Sequence, residues 1–499
     1  MTAPASRTLA AGGASRSAGT SSVAAVPSGT GVPAVAMFSL IIVGTPSSAP
    51  TFSPVEVTRA VLDRIAAWEP HLHATYALDP EAALAAARVS ESRWLRHVSA
   101  GENIGALDGV PTMIKENIAT AGTPVPLGTA ATELVPAERD APPAARLREA
   151  GAIILGKTTM PDYGMLSSGL SSFHSLTRNP WDLSKNPGGS SAGAGAGVAA
   201  GYGPLHVGTD IGGSVRLPAG WCGIFTLKPS LGRIPIDPPY AGRVAGPMTR
   251  TVADSALLMG VLAQPDDRDA MSLPPQTIEW QRLERDVAGL RIGVMSDAGV
   301  GLPVDAEVAA AFDAAVHRFE LAGAHIERIA PFMTRTILDG MDDFWRMRAW
   351  LDISAMREER RARILPYIVA WARRGAQLSG ERVFRGYSQM AAMRDAAVAA
   401  CRPYDVVLSP TSPIPSYDAE LASPTNDPER PFEHIAFTLP YNMSEQPAAS
   451  IDCGRTASGL PIGLQIVGHR HDDLTVLQVA RAWEAMRPAP PPWPEPPAR

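Results

Sequence analysis

Two serines in a glycine-rich stretch are the residues of this sequence best suited to chemistry. Residues 186–223 contain twelve glycines, where the chain-wide glycine frequency would give about three. Ser190 follows two glycines, so no bulky side chain crowds its hydroxyl. Ser214 also follows two glycines, and successive backbone N–H groups there can turn toward one point and stabilise the oxyanion of an acyl-transfer intermediate. The pattern predicts that Ser214 is a nucleophile in its own oxyanion hole.

A serine nucleophile needs a base, and Lys115 is the favoured candidate. A lysine accepts a proton near neutral pH only where burial or neighbouring cations lower its pKa, and the apolar run at residues 110–114 predicts that Lys115 is buried. Histidine is the usual base in such sites. His174 lies in a Ser/Thr-rich loop and His206 in a predicted strand, and neither has an obvious acidic partner. Since a triad assembles in space, a histidine base stays open as the weaker alternative.

Sequence patterns typical of helices and of strands alternate along the chain. These elements must position the candidate residues. Residues 53–56 form a capping box that predicts a helix ending at Pro70, and Asp79 opens a second helix that runs to about Val98. Further strand-like runs fall at residues 152–155, 290–295, 405–408 and 462–467, and further helical patterns at 305–321 and 473–483. The alternation predicts an α/β layer fold.

The two ends of the chain differ in composition from the part between them. Residues 1–51 are mainly Ala, Ser, Gly, Thr and Pro, with only two charged residues, so we expect them to be disordered because they cannot bury a core. Residues 487–499 contain seven prolines and are expected to form an exposed tail. Residues 52–486 are predicted to form the folded domain, with fewer glycines and longer helical patterns from about 264 to 426.

The charge and the cysteines of this sequence give no support for a nucleic-acid or membrane partner, a disulfide framework or a metal site. The net charge of −6 gives no reason to expect nucleic acid or an acidic membrane surface as a partner. The three cysteines are widely spaced, which argues against a disulfide framework and is compatible with a cytoplasmic location. No Cys/His cluster has the spacing of metal ligands, so we expect no metal.

Two glycine motifs raise a rival hypothesis of nucleotide binding. Residues 151–158 fit the P-loop pattern letter for letter. In a P-loop the variable positions form a loop after a strand, whereas here Ala-Ile-Ile-Leu is itself predicted to be the strand. Residues 195–200 match a loose dinucleotide-binding pattern, but no apolar strand precedes them. Nucleotide binding is therefore the least favoured interpretation.

Around the three candidate residues, the sequence resembles the amidase signature family. The motifs are LDGVPTMIKEN around Lys115, NPGGSSAGAGAG around Ser190 and GTDIGGSVRLPAGWCG around Ser214, spaced by 75 and then 24 residues. Further matching segments include LKP at residues 227–229 and GLPIGLQ at 459–465. The resemblance covers about residues 52–483. It implies a single large α/β domain whose mixed central β-sheet is covered by helices on both sides.

The resemblance also implies a role for each residue of the site. Ser214 would be the nucleophile, Lys115 the neutral base, and Ser190 the serine that bridges them, reached through a cis peptide bond after Gly189. The backbone N–H groups implied to form the oxyanion hole are those of Ile211, Gly212, Gly213 and Ser214. The residues expected to support the network or hold the shape of the loop are Ser191, Gly189 and Asp210.

These features predict an amidase that needs no cofactor or metal. We expect it to hydrolyse the C–N bond of small carboxylic amides through an acyl-enzyme, with esters and carbamates as further substrates. Aromatic residues between 341 and 387 either pack helices onto the sheet or line a pocket for apolar or aryl groups. By the same resemblance, residues 163–168 border the acyl pocket. The alternative is the glutaminase A-type subunit of a tRNA-dependent amidotransferase, which needs a partner protein; a homodimer is also left open.

Overall fold

The computed structural model describes residues 52–497. The predicted N-terminal extension, residues 1–51, lies outside the described residues. The strands of the described chain are β1 (Thr75–Tyr76), β2 (Pro111–Lys115), β3 (Ile153–Thr158), β4 (Leu205–Asp210), β5 (Phe225–Lys228), β6 (Val244–Thr249), β7 (Arg291–Val294), β8 (His325–Arg328), β9 (Val406–Pro410), β10 (Ala448–Arg455) and β11 (Pro461–Val467).

Helices separate most of these strands. In the same residues they are α1 (Pro54–Leu72), α2 (Pro80–Ala100), α3 (Pro142–Glu149), α4 (Ala192–Ala200), α5 (Arg216–Cys222), α6 (Val252–Leu262), α7 (Ala306–Leu321), α8 (Arg335–Ser354), α9 (Glu358–Arg361), α10 (Pro366–Arg373), α11 (Gly380–Cys401), α12 (Pro440–Met443) and α13 (Asp473–Met486). None of the helices in this part of the chain is both long enough and apolar enough to cross a membrane.

Within residues 52–497, eleven strands form one mixed sheet in the order β1-β3-β2-β4-β6-β5-β10-β11-β9-β7-β8. β2 lies parallel to both β3 and β4. β4, β6, β5, β10, β11 and β9 then follow one another in antiparallel pairs, and β9, β7 and β8 are parallel again. The parallel order of β2 and β4 brings their carboxyl ends, Lys115 and Asp210, to the same edge of the sheet.

Helices cover both faces of the sheet, as predicted. Successive residues of a strand point to opposite faces, and β2 shows where each face is buried. Ile114 belongs to a core cluster that includes residues of α3, α6, α7 and α13. Met113 belongs to a different cluster, which includes residues of α1, α2 and α4. The mixed α/β sheet expected from the sequence is therefore confirmed.

The first helix confirms its start signal and corrects its predicted end. The Ser53 side chain and the Glu56 side chain each accept a hydrogen bond from the other residue's backbone N–H. The helix does not stop at Pro70 but continues to Leu72. A proline in the last turn removes only one hydrogen bond of the helix, and the helix ends where His73 turns to the left-handed conformation with φ 50°.

The aromatic residues between 341 and 387 mostly pack in a core rather than line a pocket. Trp345 and Trp371 are buried in a cluster formed largely by α8, α10 and neighbouring loops. Phe384 and Tyr387 of α11 are instead exposed, by 69% and 51%. Packing is thus the better of the two interpretations for this segment, with Trp345 as the exception described below.

The proline-rich tail has no regular secondary structure but is not fully exposed. The Trp493 ring lies 4.2 Å from the Arg250 guanidinium, and the Pro494 carbonyl accepts a 2.6 Å hydrogen bond from Arg64. The same two arginines donate to the last carbonyl groups of α4. The tail therefore packs on Arg64 and Arg250, which bind the C-terminal end of α4, whereas the sequence predicted an exposed tail.

Candidate active site

Lys115, the last residue of β2, is completely buried. Its Nζ donates a hydrogen bond of 2.8 Å to Ser190 Oγ, and the Thr209 carbonyl oxygen lies 3.5 Å away. Burial and, to a lesser extent, the Arg243 guanidinium lower the pKa of Lys115 to about 7, against the opposing effect of two carboxylates. About half of an amine with this pKa is neutral at pH 7, and the neutral fraction, which is the state a base requires, grows as the pH rises.

Ser190 is presented by a closely packed stretch of backbone before α4. The Gly189–Ser190 peptide bond is cis. A Cβ at position 189 would lie 2.6 Å from the Ser168 backbone nitrogen and 2.7 Å from its carbonyl oxygen, so only glycine fits there. The Ser190 hydroxyl contacts Lys115 on one side and lines a cavity on the other.

Ser191 connects this stretch to β4 and to the loop of Ser214. Its N–H donates to the Ser214 carbonyl oxygen at 3.1 Å. Its hydroxyl donates to the Thr209 carbonyl oxygen at 3.2 Å and accepts from the Thr209 N–H at 3.3 Å. Ser191 is thus placed to fix the two serine-bearing segments relative to each other.

Ser214 lies in the short loop between β4 and α5 and lines the same cavity as Ser190. Gly213 next to it has φ +126°, and a Cβ there would lie 2.6 Å from Thr438 Oγ1, so the loop needs glycine at this position. The Thr438 hydroxyl also donates to the Gly212 carbonyl oxygen at 2.6 Å. These contacts hold the backbone of the loop in one conformation.

One of the four N–H groups predicted to form the oxyanion hole makes a hydrogen bond within the loop. The Gly213 N–H donates to Asp210 Oδ1 at 2.8 Å, so in this structure it is already engaged. Among the described residues, the N–H groups of Ile211, Gly212 and Ser214 have no such partner. Three of the four predicted donors therefore remain available to a substrate oxygen, and the fourth shapes the loop.

Asp210 anchors this loop through a buried ion pair with Arg216. Arg216 Nε and Nη2 donate to the carboxylate at 3.0 and 2.9 Å, and both side chains are completely buried. Burial acts to raise the pKa of Asp210, but the Arg216 guanidinium and the Asn442 amide together hold it well below its usual range. The carboxylate therefore stays ionised and also accepts the N–H of Val215 at 3.1 Å.

A cavity of 510 Å³ opens over the two serines. Its walls combine apolar side chains with a few polar groups, among them Tyr240, Arg243 and Arg348. A smaller cavity of 50 Å³ also reaches Ser214 and is lined by Arg348 and by apolar groups that include Trp345. Of residues 163–168, which the family resemblance places at the acyl pocket, residues 163–167 border these two cavities and Ser168 does not.

Neither histidine considered as a base lines these cavities. His206 is completely buried in β4, with the Tyr202 carbonyl as its partner. His174 does have an acidic partner, contrary to the expectation, because its Nε2 contacts the Glu116 carboxylate. The two residues are 58 positions apart, so no local pattern indicates the pair.

The two nucleotide-binding motifs are elements of regular structure. Lys157 of the P-loop-like pattern lies in β3, is buried, and its Nζ donates to the Ile118 carbonyl oxygen and, at 2.7 Å, to Thr120 Oγ1. Residues 195–200 lie within α4, every residue of which is buried. Neither segment forms a loop with free N–H groups that could cradle a phosphate.

Sequence reasoning missed the cationic wall of the larger cavity. Arg243 lies in the loop that leads into β6, and Arg348 lies on α8, about a hundred residues later. No motif or spacing connects them, and the chain has many other arginines. Only the fold brings both beside the serines.

A mixed α/β sheet that places two serines at one cavity, with a buried lysine in contact with one of them, is the arrangement expected of an acyl-transfer hydrolase. The chain belongs to the amidase family, whose model matches residues 56–477, and it is an amidohydrolase. It is 35% identical to an acylamidase of Rhodococcus erythropolis, over 87% of this chain and 92% of the relative. It is 34% identical to the A-type subunit of the glutamyl-tRNA(Gln) amidotransferase of Chloroflexus aggregans, over 88% of this chain and 94% of the relative.

A solved structure is similar over nearly the same span. It is a bacterial aryl acylamidase of the amidase signature enzymes family, with a TM-score of 0.79 and 31% identity, covering 87% of this chain and 93% of that chain. By sequence, the acylamidase and the amidotransferase component are therefore about equally close relatives, and the choice between those activities depends on the site.

Proposed function

We propose that this chain is a stand-alone amidase that cleaves the C–N bond of small carboxylic amides through an acyl-enzyme on Ser214. The observation that carries the proposal is the 2.8 Å contact between Lys115 Nζ and Ser190 Oγ, at the wall of the cavity that Ser214 shares. Together with the lowered pKa of Lys115, this contact supports a base that is neutral where the reaction takes place.

The proposed reaction starts with proton transfer from Ser214 Oγ to Ser190 and from Ser190 to the neutral Lys115 amine. As its proton leaves, Ser214 Oγ attacks the amide carbonyl carbon, and the carbonyl oxygen becomes an oxyanion. The N–H groups of Ile211, Gly212 and Ser214 are the donors available to bind this oxygen. Their fixed positions would stabilise the charge without reorganisation.

Lys115 then acts as the acid. It returns the proton through Ser190 to the nitrogen of the substrate, the C–N bond breaks, and the amine leaves while the acyl group stays on Ser214 as an ester. A water molecule gives a proton to the same relay and attacks this ester. The carboxylic acid leaves, and Ser214 recovers its proton.

Apolar side chains line much of the wall beside Ser214, which favours apolar acyl or aryl groups on the substrate. In the smaller cavity these side chains include Trp345, Phe432 and Ile435, and Arg348 also lines it. One similar solved structure is that of an aryl acylamidase, and its name agrees with an aryl substrate. Esters and aryl or alkyl carbamates pass through the same tetrahedral chemistry and are proposed as further substrates.

The second candidate function is glutamine hydrolysis as the A-type subunit of an amidotransferase. The observation that favours it is the 34% identity to such a protein over most of both chains. That activity would depend on a partner protein, whereas the proposed amidase would not. The two candidates therefore differ in an activity that the isolated chain can be tested for.

A substrate panel on the purified chain alone separates the two. The panel is butyryl p-nitroanilide, butyramide, p-nitrophenyl butyrate, an aryl carbamate and glutamine, each measured with wild type and with Ser214→Ala. The proposal predicts Ser214-dependent release of p-nitroaniline without any partner. Ammonia release from glutamine that appears only when an amidotransferase partner is added, with the anilide left intact, would favour the second candidate instead.

A further inference from the structure

The larger cavity carries two arginines that lack a carboxylate partner. Arg243 and Arg348 both line it, together with Ser190 and Ser214. Among residues 52–497, neither guanidinium forms an ion pair with a carboxylate, whereas most other arginines near α8 do. Arg243 donates instead to the Pro238 carbonyl oxygen at 2.8 Å, and the Arg348 guanidinium lies over the Tyr240 ring at 4.1 Å.

The two guanidiniums are close enough to repel each other. Burial lowers the pKa of Arg243 to about 10, and the Arg348 charge contributes to this shift. Because both guanidiniums line the same cavity, an anion placed between them would be attracted by both charges. Both guanidiniums can therefore pair with a negatively charged group that enters the cavity.

The carboxylates at the cavity do not cancel this charge. Asp210 is paired with Arg216 in the core behind the loop. Asp352, one helical turn after Arg348 on α8, is exposed and forms no ion pair with it. Asp237 and Asp269 partly offset the charge of Arg243, but neither lines the cavity, where two guanidiniums face one exposed carboxylate that has no ion-pair partner among the described residues.

We propose that Arg243 and Arg348 bind a carboxylate on the substrate, so that this enzyme prefers amides that carry an anionic group away from the bond that is cleaved. Arginine suits this purpose because its planar guanidinium can donate two parallel hydrogen bonds to a carboxylate. The inference rests on the proposed amidase function and adds to it a preference for substrates that carry an anionic group.

Two matched pairs of substrates test the inference, one for each side of the scissile bond. Glutaryl p-nitroanilide carries its carboxylate on the acyl side, and hexanoyl p-nitroanilide is its neutral match. N-butyryl-4-aminobenzoate carries the carboxylate on the leaving group, and N-butyryl-4-methylaniline is its neutral match. In wild type, we expect kcat/KM to be about tenfold higher for the anionic member of at least one pair, as a charged hydrogen bond would give.

Variants then assign the preference to the arginine pair. Arg348→Gln should lower the anionic-to-neutral ratio of kcat/KM about tenfold, and Arg348→Glu should invert the preference. Arg385→Gln removes the same charge from the exposed surface of α11 and should leave the ratio unchanged. Because Arg348 is an exposed residue, these variants are expected to fold.

The possible failures are distinguishable. Hydrolysis of the neutral members at an equal or higher rate in both pairs, or an unchanged ratio in Arg348→Gln, would overturn the charge preference while leaving the amidase function in place. No hydrolysis of any of the four substrates would contradict the amidase function itself, and the inference with it.

Discussion

Three lysines of the described chain are buried deeply enough for burial to lower the pKa of each to about 7: Lys115, Lys157 and Lys228. Lys157 donates to a carbonyl oxygen and to the buried Thr120 hydroxyl, and Lys228 donates to a carbonyl oxygen. Lys115 alone among the three contacts a serine hydroxyl at a cavity. A lowered pKa is therefore not enough to make a base, and the partner of the amine decides its role.

The titration of Lys115 determines whether kcat/KM rises or falls as the pH increases. Protonated Lys115 cannot accept a proton, so kcat/KM for a neutral anilide should rise with pH through about 7 as the amine becomes neutral. Arg243→Met removes a positive neighbour, raises the pKa of Lys115, and should move this rise to higher pH. Initial rates measured from about pH 5 to about pH 10 detect the shift.

Arg243→Lys is the control for this experiment because it keeps a positive charge at the same place. Its profile should stay close to that of wild type. A profile that rises toward acid pH would contradict the assignment of Lys115 as the base, and a rise that stays in place in Arg243→Met would contradict the effect of Arg243 on the pKa of Lys115.

Among the structural elements, the decisive one is the loop between β4 and α5. Asp210 at the end of β4 and Arg216 at the start of α5 pair across the loop, and Asp210 also accepts two of the loop's N–H groups. The loop that carries Ser214 is thus fastened at both ends to regular structure, which keeps its remaining N–H groups in fixed positions.

Asp210→Asn tests this anchoring. The change leaves Arg216 buried without a counter-charge, so the free energy of unfolding should fall by about 3 kcal/mol or more. Glu102→Gln breaks an ion pair with Arg96 in which both side chains are half exposed, and such a pair contributes less than about 1 kcal/mol. Urea denaturation of both variants makes the comparison, and equal stabilities would contradict the anchoring role.

Across the protein as a whole, the structural elements that the sequence predicted are those that depend on local sequence patterns. The capping box at Ser53 and the apolar runs of the strands predicted elements that the structure has within a few residues. The family resemblance placed Lys115, Ser190 and Ser214 in one site, and the fold brings them to one edge of the sheet.

The parts that escaped prediction depend on contacts between distant segments. The Arg243 and Arg348 wall and the pair between His174 and Glu116 have no local signature. The engagement of the Gly213 N–H by Asp210 is a matter of loop conformation, which the glycines permit but do not specify. Substrate charge preference is therefore a property that only the assembled fold could suggest.

The proposed mechanism depends on Ser214 being the nucleophile, and covalent labelling is the direct test of that role. Wild type and Ser214→Ala are exposed to a fluorophosphonate and weighed by intact-protein mass spectrometry, with the labelled peptide then sequenced. We predict one adduct on wild type, located at Ser214, and none on Ser214→Ala. Equal labelling of both proteins would contradict the assignment, because the reactive serine would then lie elsewhere in the chain.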